Sequence, residues 1–258
     1  MKKFAAFALA GSSVAALLVL RSRRKRALSA GAARRLAALR ARDGRALTGD
    51  SGVHYNAADA PAWLRPLFSD PSLRRVLCRE WEDDAWRAAA GWRGRDLIHD
   101  PRGEGVVARA YFWDAAREAL AGVVSFGPRA ESHRGLCHGG AMTSLMDDVC
   151  GHACFLAGNA PWCGATVQVN CKLTKPVRVG DVLRVDGRVA RREESKSGSG
   201  RAKLFVSARL VGEDGSVYAE LDGVSITPVP MASADDAVSR REWLDDARVL
   251  RDSGWLLP

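Results

Sequence analysis

Several motifs that would assign a chemistry are missing from this chain of 258 residues. Ser144 is not enclosed in a Gly-x-Ser-x-Gly elbow, so it lacks the strained turn that presents the nucleophilic serine of α/β hydrolases. The glycine-rich turn at 198–201 has neither the spacing nor the lysine of a P-loop, which excludes that type of phosphate site there. The six cysteines contain no Cys-x-x-Cys pair, so they indicate reduced core thiols rather than a redox centre.

Acidic residues are absent from the first 42 positions, although the whole chain has 30 of them. Removing the eleven positive charges of this leader from the net charge of +9 leaves residues 43–258 at about −2. The basic character therefore belongs to the leader and not to the folded part, which argues against a nucleic-acid partner. The eleven cations are Lys2, Lys3, Arg21, Arg23, Arg24, Lys25, Arg26, Arg34, Arg35, Arg40 and Arg42.

Residues 1–42 are predicted to be a targeting or anchor segment. An arginine-rich, acid-poor N-terminus is typical of an organellar transit peptide, and a mitochondrial location is favoured. The uncharged stretch 4–20 leaves two alternatives open: a membrane anchor in another organelle or a plastid, and a cleaved secretory signal. Residues 43–60 contain Gly, Asp, Ala and Ser without periodicity and are predicted to be a linker.

The hydrophobic pattern then predicts an α+β fold. Apolar residues spaced by three and four predict a helical extension over 61–99, in which Asp70-Pro71-Ser72 is the start signal of a second helix. A hairpin, one long apolar helix and four further strands in an antiparallel meander follow within 100–230, and a helical tail over 231–258 closes the chain. Because the long helix is apolar on nearly all sides, a strongly curved sheet must wrap it. The predicted elements are strands Val106–Trp113 and Ala119–Phe126, the helix from Gly139 to about Ala157, and strands Ala165–Thr174, Asp181–Arg192, Ala202–Gly212 and Ser216–Thr227.

The start of the long helix combines two chemical features. His138 precedes Gly139 and Gly140, and two glycines at a helix start let a ligand approach the backbone N–H groups. Those N–H groups and the helix dipole can stabilise a carbonyl oxygen that becomes negative during a reaction. Asp147 follows two turns later in a stretch composed to be buried. An electrophile-activating end and a buried acid on one helix predict a catalytic element.

A second acid, Asp148, directly follows Asp147. Neighbours on a helix point about 100° apart, so both carboxylates cannot face one substrate. Asp148 lies four residues before His152, a spacing that brings two side chains together, so a structural pair is the simplest interpretation. Asp147 has no such partner, and a buried acid without one is costly unless it is used. Asp147 is therefore the preferred catalytic acid.

No metal and no cofactor are expected. Six soft ligands occur within 27 residues, but their spacing lacks the tight pairs of zinc sites, and His152 and Cys154 would point to different sides of a helix. The six are Cys137, His138, Cys150, His152, Cys154 and Cys163.

The strand order and three motifs resemble the hotdog fold of acyl-CoA thioesterases, with the mitochondrial thioesterase superfamily proteins as the nearest likeness. The motifs are His138-Gly139-Gly140-Ala141 with Asp147, the strand 166–176, and the basic strand entry 200–206. The resemblance covers roughly residues 100–228. It implies a curved antiparallel sheet around a central helix, and a homodimer or a dimer of dimers with active sites across the subunit interface.

The resemblance also implies roles for individual residues. Asp147 would act as general base or nucleophile, the N–H of Gly140 would polarise the thioester carbonyl, His138 would order the loop, and Thr166 would help hold the water or the carboxylate. Substrate-binding roles, including contacts with the phosphates of coenzyme A, would fall to Gly139, Asn170, Lys172, Lys175, Arg201 and Lys203.

Hydrolysis of a fatty acyl-CoA to free acid and CoA is accordingly the favoured function. The alternative is a non-catalytic acyl-CoA-binding or regulatory protein at an organelle membrane, which would keep the two glycines without requiring Asp147. We find no support for enoyl-CoA hydration, whose signature on this fold is Asp-x-x-x-x-His. The acyl chain length does not follow from the sequence.

Overall fold

The protein is described by a computed structural model over residues 55–76, 97–99, 103–158, 164–196 and 201–227. The predicted leader, most of the linker and of the helical extension, and the predicted tail lie outside these residues. Within the described part of the chain, no helix is long and apolar enough to cross a membrane. The proposed membrane association through residues 4–20 concerns a segment outside that part and stays a prediction.

One seven-stranded antiparallel sheet dominates the fold, in the spatial order β1-β2-β3-β7-β8-β9-β6. A two-stranded ladder, β4-β5, precedes the long helix α2. The strands are β1 Arg74–Arg75, β2 Val106–Asp114, β3 Ala119–Phe126, β4 Glu131–His133, β5 Leu136–Cys137, β6 Ala165–Leu173, β7 Val182–Glu194, β8 Ala202–Val211 and β9 Val217–Thr227; the helices are α1 Pro66–Ser69 and α2 Gly139–Ala157, with 3-10 turns at Ala62–Leu64 and Pro128–Ala130.

The helix α2 contacts six strands, β2, β3 and β6 to β9, so the sheet curves around it. Leu145, Met146, Val149 and Cys150 are fully buried against the strands, which removes their apolar surface from water. Glycines on the inner sheet face allow this close approach: a Cβ on Gly187 would lie 2.8 Å from Val149 Cγ1. The predicted α+β hotdog architecture is confirmed.

The strand boundaries agree with the predicted ones within two residues, but the predicted four-strand meander is wrong. Only β7, β8 and β9 form a meander, whereas β6 pairs with β9 and β7 pairs with β3. The chain leaves β6 at one edge and crosses past β9 and β8 before it enters β7. This crossing makes the sheet continuous with the first hairpin and leaves β6 as an edge strand.

One further expectation needs correction. Asp70 does not start a second helix: its carboxylate accepts hydrogen bonds from the N–H and hydroxyl of Ser72, and Arg74 and Arg75 then pair with β2. The apolar spacing instead produces a small cluster, in which Leu64 and Leu67 pack with Phe112 and Val123 of the first hairpin. The sheet covers most of α2 but leaves one side, the exposed stripe, on which Gly140 and Asp147 are exposed and Ser144 is half-buried in the single chain.

Candidate active site

The start of α2 is capped by a histidine ring. His138 is the N-cap residue, with extended backbone angles (φ −66°, ψ 132°), and its Nδ1 accepts a hydrogen bond of 2.8 Å from the N–H of Gly140. The loop before it is anchored, because the His138 N–H donates to the carbonyl of Ala130 at 2.7 Å. The cap satisfies one of the helix's initial N–H groups and fixes the direction in which the helix leaves the loop.

The N–H of Gly139 is the donor that this cap leaves available. No acceptor for it lies among the described residues, whereas the N–H of Gly140 is taken by His138 and the next two N–H groups donate to the His138 carbonyl. Gly139 also lies against the sheet edge, since a Cβ there would be 2.7 Å from Leu173 Cδ1. The helix start therefore presents one N–H, together with the positive end of the helix dipole, beside β6.

Asp147 lies two turns along the same helix, on the exposed stripe. It is exposed in the single chain, which corrects the expectation that it is buried, and Thr166 of β6 hydrogen-bonds its carboxylate. Desolvation by the surrounding protein raises the pKa of Asp147, the Thr166 hydrogen bond lowers it, and the negative charge of Asp148 raises it, for a net increase above its usual range. The carboxylate is thus oriented by one donor and retains access to a ligand.

Ser144 shares the stripe with Gly140 and Asp147, but its hydroxyl is engaged. Ser144 Oγ donates a hydrogen bond of 2.9 Å to the carbonyl of Gly140 in the preceding turn. A hydroxyl proton held by a backbone carbonyl is not shared with a general base, so Ser144 is not an activated nucleophile. Asp147 remains the reactive group of the stripe.

The inner face of β6 lies beside the exposed stripe of α2. Cys171 packs against the core, and because strand side chains alternate, Val169 and Leu173 share its face. Val169 is 37% exposed, Leu173 45% and Val167 55%. An open strand edge with exposed apolar side chains lies beside Asp147 as a result.

The other residues predicted to bind substrate are distributed differently. Asn170 and Lys172 alternate with Cys171 and so belong to the outer face of β6, away from α2. Lys175 donates to Ser216 Oγ at 2.7 Å, and Arg201 and Lys203 are exposed at the start of β8. The structure places His138, Gly139 and Gly140 at the start of α2, and Asp147 two turns along it beside Thr166. The roles predicted for these five residues and for the other five stay predictions.

The side chain of Asp148 points about 100° away from that of Asp147 around the helix and lies in a buried polar cluster. The predicted pair with His152 is confirmed, with 3.3 Å between Asp148 Oδ2 and His152 Nδ1. Two partners were missed by sequence reasoning: Tyr111 donates to the same oxygen at 2.8 Å, and His99 Nε2 lies 3.4 Å from it. No local pattern signals these contacts, because Tyr111 is 37 residues away along the chain.

The electrostatics of the cluster keep Asp148 ionised. Burial by itself would raise the pKa of Asp148, but the adjacent His152 and His99 imidazoles lower it by more, so the carboxyl is held well below its usual range. Two neighbouring acids on one helix are therefore in opposite situations: Asp148 is locked in a buried network, and Asp147 is accessible.

Asp147 and His152 have the Asp-x-x-x-x-His spacing, contrary to the expectation that this hydratase signature is missing. Five helical residues correspond to about 140° of rotation, which sends the two side chains to different sides. Asp147 is exposed, whereas His152 is 1% exposed and its Nδ1 lies 2.9 Å from the carbonyl oxygen of Asp148. The two groups cannot act on one substrate, so the spacing does not support hydration here.

A groove of about 650 Å³ lies elsewhere, between α1 and the outer sheet face. Its walls carry charges of both signs, including Asp114, Arg117, Arg184 and Asp186, and do not include Asp147 or the start of α2. All four of these charges are already paired, since Arg184 Nε donates to Asp186 at 2.7 Å and Arg117 donates to Asp114 at 3.0 Å. The groove is separate from the candidate active site.

Residues 134–219 match the family model of the Thioesterase superfamily, a match that covers less than half of the chain. Among solved structures, a conserved protein from Pseudomonas aeruginosa is 23% identical, with 43% of this chain and 81% of that chain covered and a TM-score of 0.36. A hypothetical thioesterase from Streptococcus pneumoniae with coenzyme A is 15% identical, covering 42% and 77%, with a TM-score of 0.36. A Streptococcus mutans protein bound to acetyl CoA is 16% identical, covering 43% and 82%, with a TM-score of 0.36. No curated protein matches the chain significantly.

Replacing His138 tests the cap at the helix start. His138→Ala removes the acceptor for the Gly140 N–H and is expected to lower the free energy of unfolding by about 1 kcal/mol. His138→Asn should restore most of the loss, because an asparagine oxygen can accept the same hydrogen bond. Urea denaturation at one fixed protein concentration measures both; equal losses in the two variants would contradict the capping role.

Proposed function

We propose that this chain, whose residues 134–219 belong to the thioesterase superfamily, hydrolyses an acyl-CoA thioester to a free acid and CoA. One observation carries the proposal. An accessible carboxylate, oriented by Thr166, shares an exposed stripe of α2 with a helix start at which the Gly139 N–H has no acceptor among the described residues. A base and an oxyanion donor are the two parts that acyl transfer to water requires. Within one chain they lie eight helical residues apart, about 12 Å along α2, so the Gly139 N–H of one copy and the Asp147 carboxylate of its partner would act on one thioester.

The thioester carbonyl is polarised at the helix start. Its oxygen accepts from the N–H of Gly139 and lies at the positive end of the α2 dipole, which stabilises the negative charge of the tetrahedral intermediate. Gly140, the donor expected from the sequence, contributes only after its N–H leaves His138 Nδ1. The His138 ring is therefore a positioning group: it holds the Gly140 N–H and leaves the Gly139 N–H as the donor for the substrate.

Asp147 supplies the second half of the reaction. As a general base it accepts a proton from the attacking water; as a nucleophile it would form an acyl anhydride that water then opens. In both cases the C–S bond breaks, the sulfur leaves as a thiolate that is then protonated, and one water is consumed. The Thr166 hydroxyl holds the carboxylate toward the stripe during these steps.

The exposed edge of β6 supports a homodimer as part of this function. The outer edge of β6 has no pairing partner among the described residues, and with the exposed side chains of Val167, Val169 and Leu173 it invites pairing with a second copy. Because the same surface borders Asp147, the partner would bring its own helix start up to this carboxylate and close the acyl pocket. The exposed cations Lys172 and Lys203 on β6 and β8 are the proposed contacts for the CoA phosphates.

Asp147→Asn tests the catalytic acid. The amide cannot accept a proton from water or attack a thioester, so we expect kcat for acyl-CoA hydrolysis to fall by ~10²–10⁴-fold while the fold persists. Thiol release from a panel of acyl-CoA substrates measures the activity, and circular dichroism checks the fold. Asp222→Asn, on the outer face of β9, is the matched control and should leave kcat unchanged. Full activity of Asp147→Asn would refute the assignment of the base to Asp147, whereas the absence of hydrolysis by the unmodified chain would favour a binding protein.

Thr166→Ala tests the orientation of the carboxylate. The variant loses one hydrogen bond to the Asp147 carboxylate, so we expect kcat to fall by ~10–100-fold. KM should change little, because the bond orients the base rather than the substrate. Thr166→Ser retains the hydroxyl and should recover most of the rate. Steady-state kinetics on both variants decide the matter; an equally slow serine variant would show that the methyl group, not the hydroxyl, is needed.

The double variant Val167→Lys, Val169→Lys tests the β6 edge. Two charges on the exposed strand should prevent its pairing, so we expect monomers in analytical ultracentrifugation and loss of hydrolysis. Ser69→Lys, on exposed α1, adds charge away from the edge and should leave both properties intact. A dimer that persists in the double variant would place the interface on another surface.

A further inference from the structure

We propose that His99, Asp148 and His152 form a binding site for a divalent transition-metal ion of the zinc type. The three residues come from two separate parts of the described chain: His99 pairs with Val107 of β2 through an isolated bridge, and the other two lie one turn apart on α2. Each offers one ligand atom, and the three atoms lie within 4.8 Å of one another. The site is distinct from the exposed stripe of α2 and does not depend on the hydrolase assignment.

Two of the three distances between the ligand atoms suit a shared ion. Asp148 Oδ2 lies 3.4 Å from His99 Nε2 and 3.3 Å from His152 Nδ1. An N–H···O bond is usually ~2.7–3.2 Å long. Two ligands of a tetrahedral zinc ion with bonds of ~2.0–2.1 Å are ~3.3–3.4 Å apart, which is the separation seen for both pairs.

The burial of the three side chains and the charge of Asp148 also support a metal site. The side chains of His99, Asp148 and His152 are 7%, 15% and 1% exposed. A buried carboxylate is costly unless positive charge compensates it. A divalent ion between the three ligands would supply that charge in place of the two histidines that otherwise compensate it. The edges of the Tyr111 and Phe155 rings pack around His152, which keeps water away from its side of the site.

The residues around the ligands resemble the support of a metal site. Tyr111 donates to Asp148 Oδ2 at 2.8 Å and so fixes the orientation of the carboxylate, as outer partners of metal ligands do. His152 Nδ1 lies 2.9 Å from the carbonyl oxygen of Asp148, to which it donates when no ion is bound. Binding through this atom therefore requires that the imidazole lose the proton and that Nδ1 turn from the carbonyl toward the carboxylate, where the ion would lie.

Two nitrogens and one carboxylate oxygen select the class of metal. Imidazole ligands suit zinc, cobalt, nickel and copper, whereas magnesium and calcium prefer oxygen ligands alone. Three protein ligands leave a fourth position for water. Because Asp148 directly follows Asp147, the ion would tie the segment at 97–99 to the middle of α2 and hold this part of the helix in place.

The test is metal binding to the purified full chain after treatment with a chelator. Isothermal titration with Zn²⁺ should show one equivalent bound per chain, and Co²⁺ should give the visible absorption bands of a tetrahedral ion without the near-ultraviolet band of a thiolate ligand. His99→Gln and Asp148→Asn should each weaken binding by ~100-fold or more, since each removes one ligand. His133→Gln, which changes an exposed histidine outside the cluster, should bind like the unmodified chain.

Two results would overturn the proposal. The first is the absence of stoichiometric Zn²⁺ and Co²⁺ binding to the unmodified chain, which leaves a hydrogen-bonded network of Asp148 with two histidines and a tyrosine. The second is undiminished binding by folded His99→Gln, because the ligands would then lie elsewhere. Circular dichroism establishes that the variants are folded, and the titration of the unmodified chain decides the question even if Asp148→Asn does not fold.

Discussion

The close packing of α2 inside the curved sheet is the constraint on which the rest of the structure depends. The helix reaches the strands closely because the sheet has glycines at the contacts: a Cβ on Gly223 would lie 2.6 Å from Cys150 Sγ, just as one on Gly187 would meet Val149. Dense contact of this kind leaves no room for an added methyl group without displacement of the neighbours. The rotation of α2 about its own axis is thereby determined, and with it the direction of every side chain on the helix.

Adjacent side chains on a helix point about 100° apart, so this orientation of α2 places the two neighbouring acids in different surroundings. Asp148 points into the protein, where Tyr111 and two histidines compensate its charge. Asp147 points to the uncovered stripe, where only Thr166 orients it within the described part of the chain. A buried, ionised cluster and an accessible base on consecutive residues are both consequences of one packing arrangement.

The open stripe and the open edge of β6 are also consequences of that arrangement. A single sheet can curve around most of a helix but not all of it, so one side of α2 borders the edge strand. There the helix start, Asp147 and exposed apolar side chains of β6 meet on one surface. A second copy that pairs along this edge would bury the apolar side chains and complete a pocket beside the reactive groups.

Much of the fold followed from local patterns, because alternation along strands, the glycine pair before α2 and the turn residues are each encoded within a few positions. The thioesterase-superfamily match over residues 134–219 agrees with the motif His138–Asp147, which is also local. The pairing of strands that are distant along the chain had no local signal in the sequence. Whether β6 meets β7 or β9 depends on which strand covers α2, and that is decided by packing rather than by either strand's own residues.

The sequence by itself determined the six long strands, their order along the chain and the helix that carries the reactive acid, since these depend on short-range periodicity and on residue chemistry. Tertiary structure alone decided that Asp147 is exposed, that the Gly140 N–H is taken by His138, and that His99 and Tyr111 reach Asp148. The physical reason is that exposure and long-range contact are properties of how α2 is rotated and covered. A run of residues specifies a helix, but its neighbours in space specify which side of it faces a substrate.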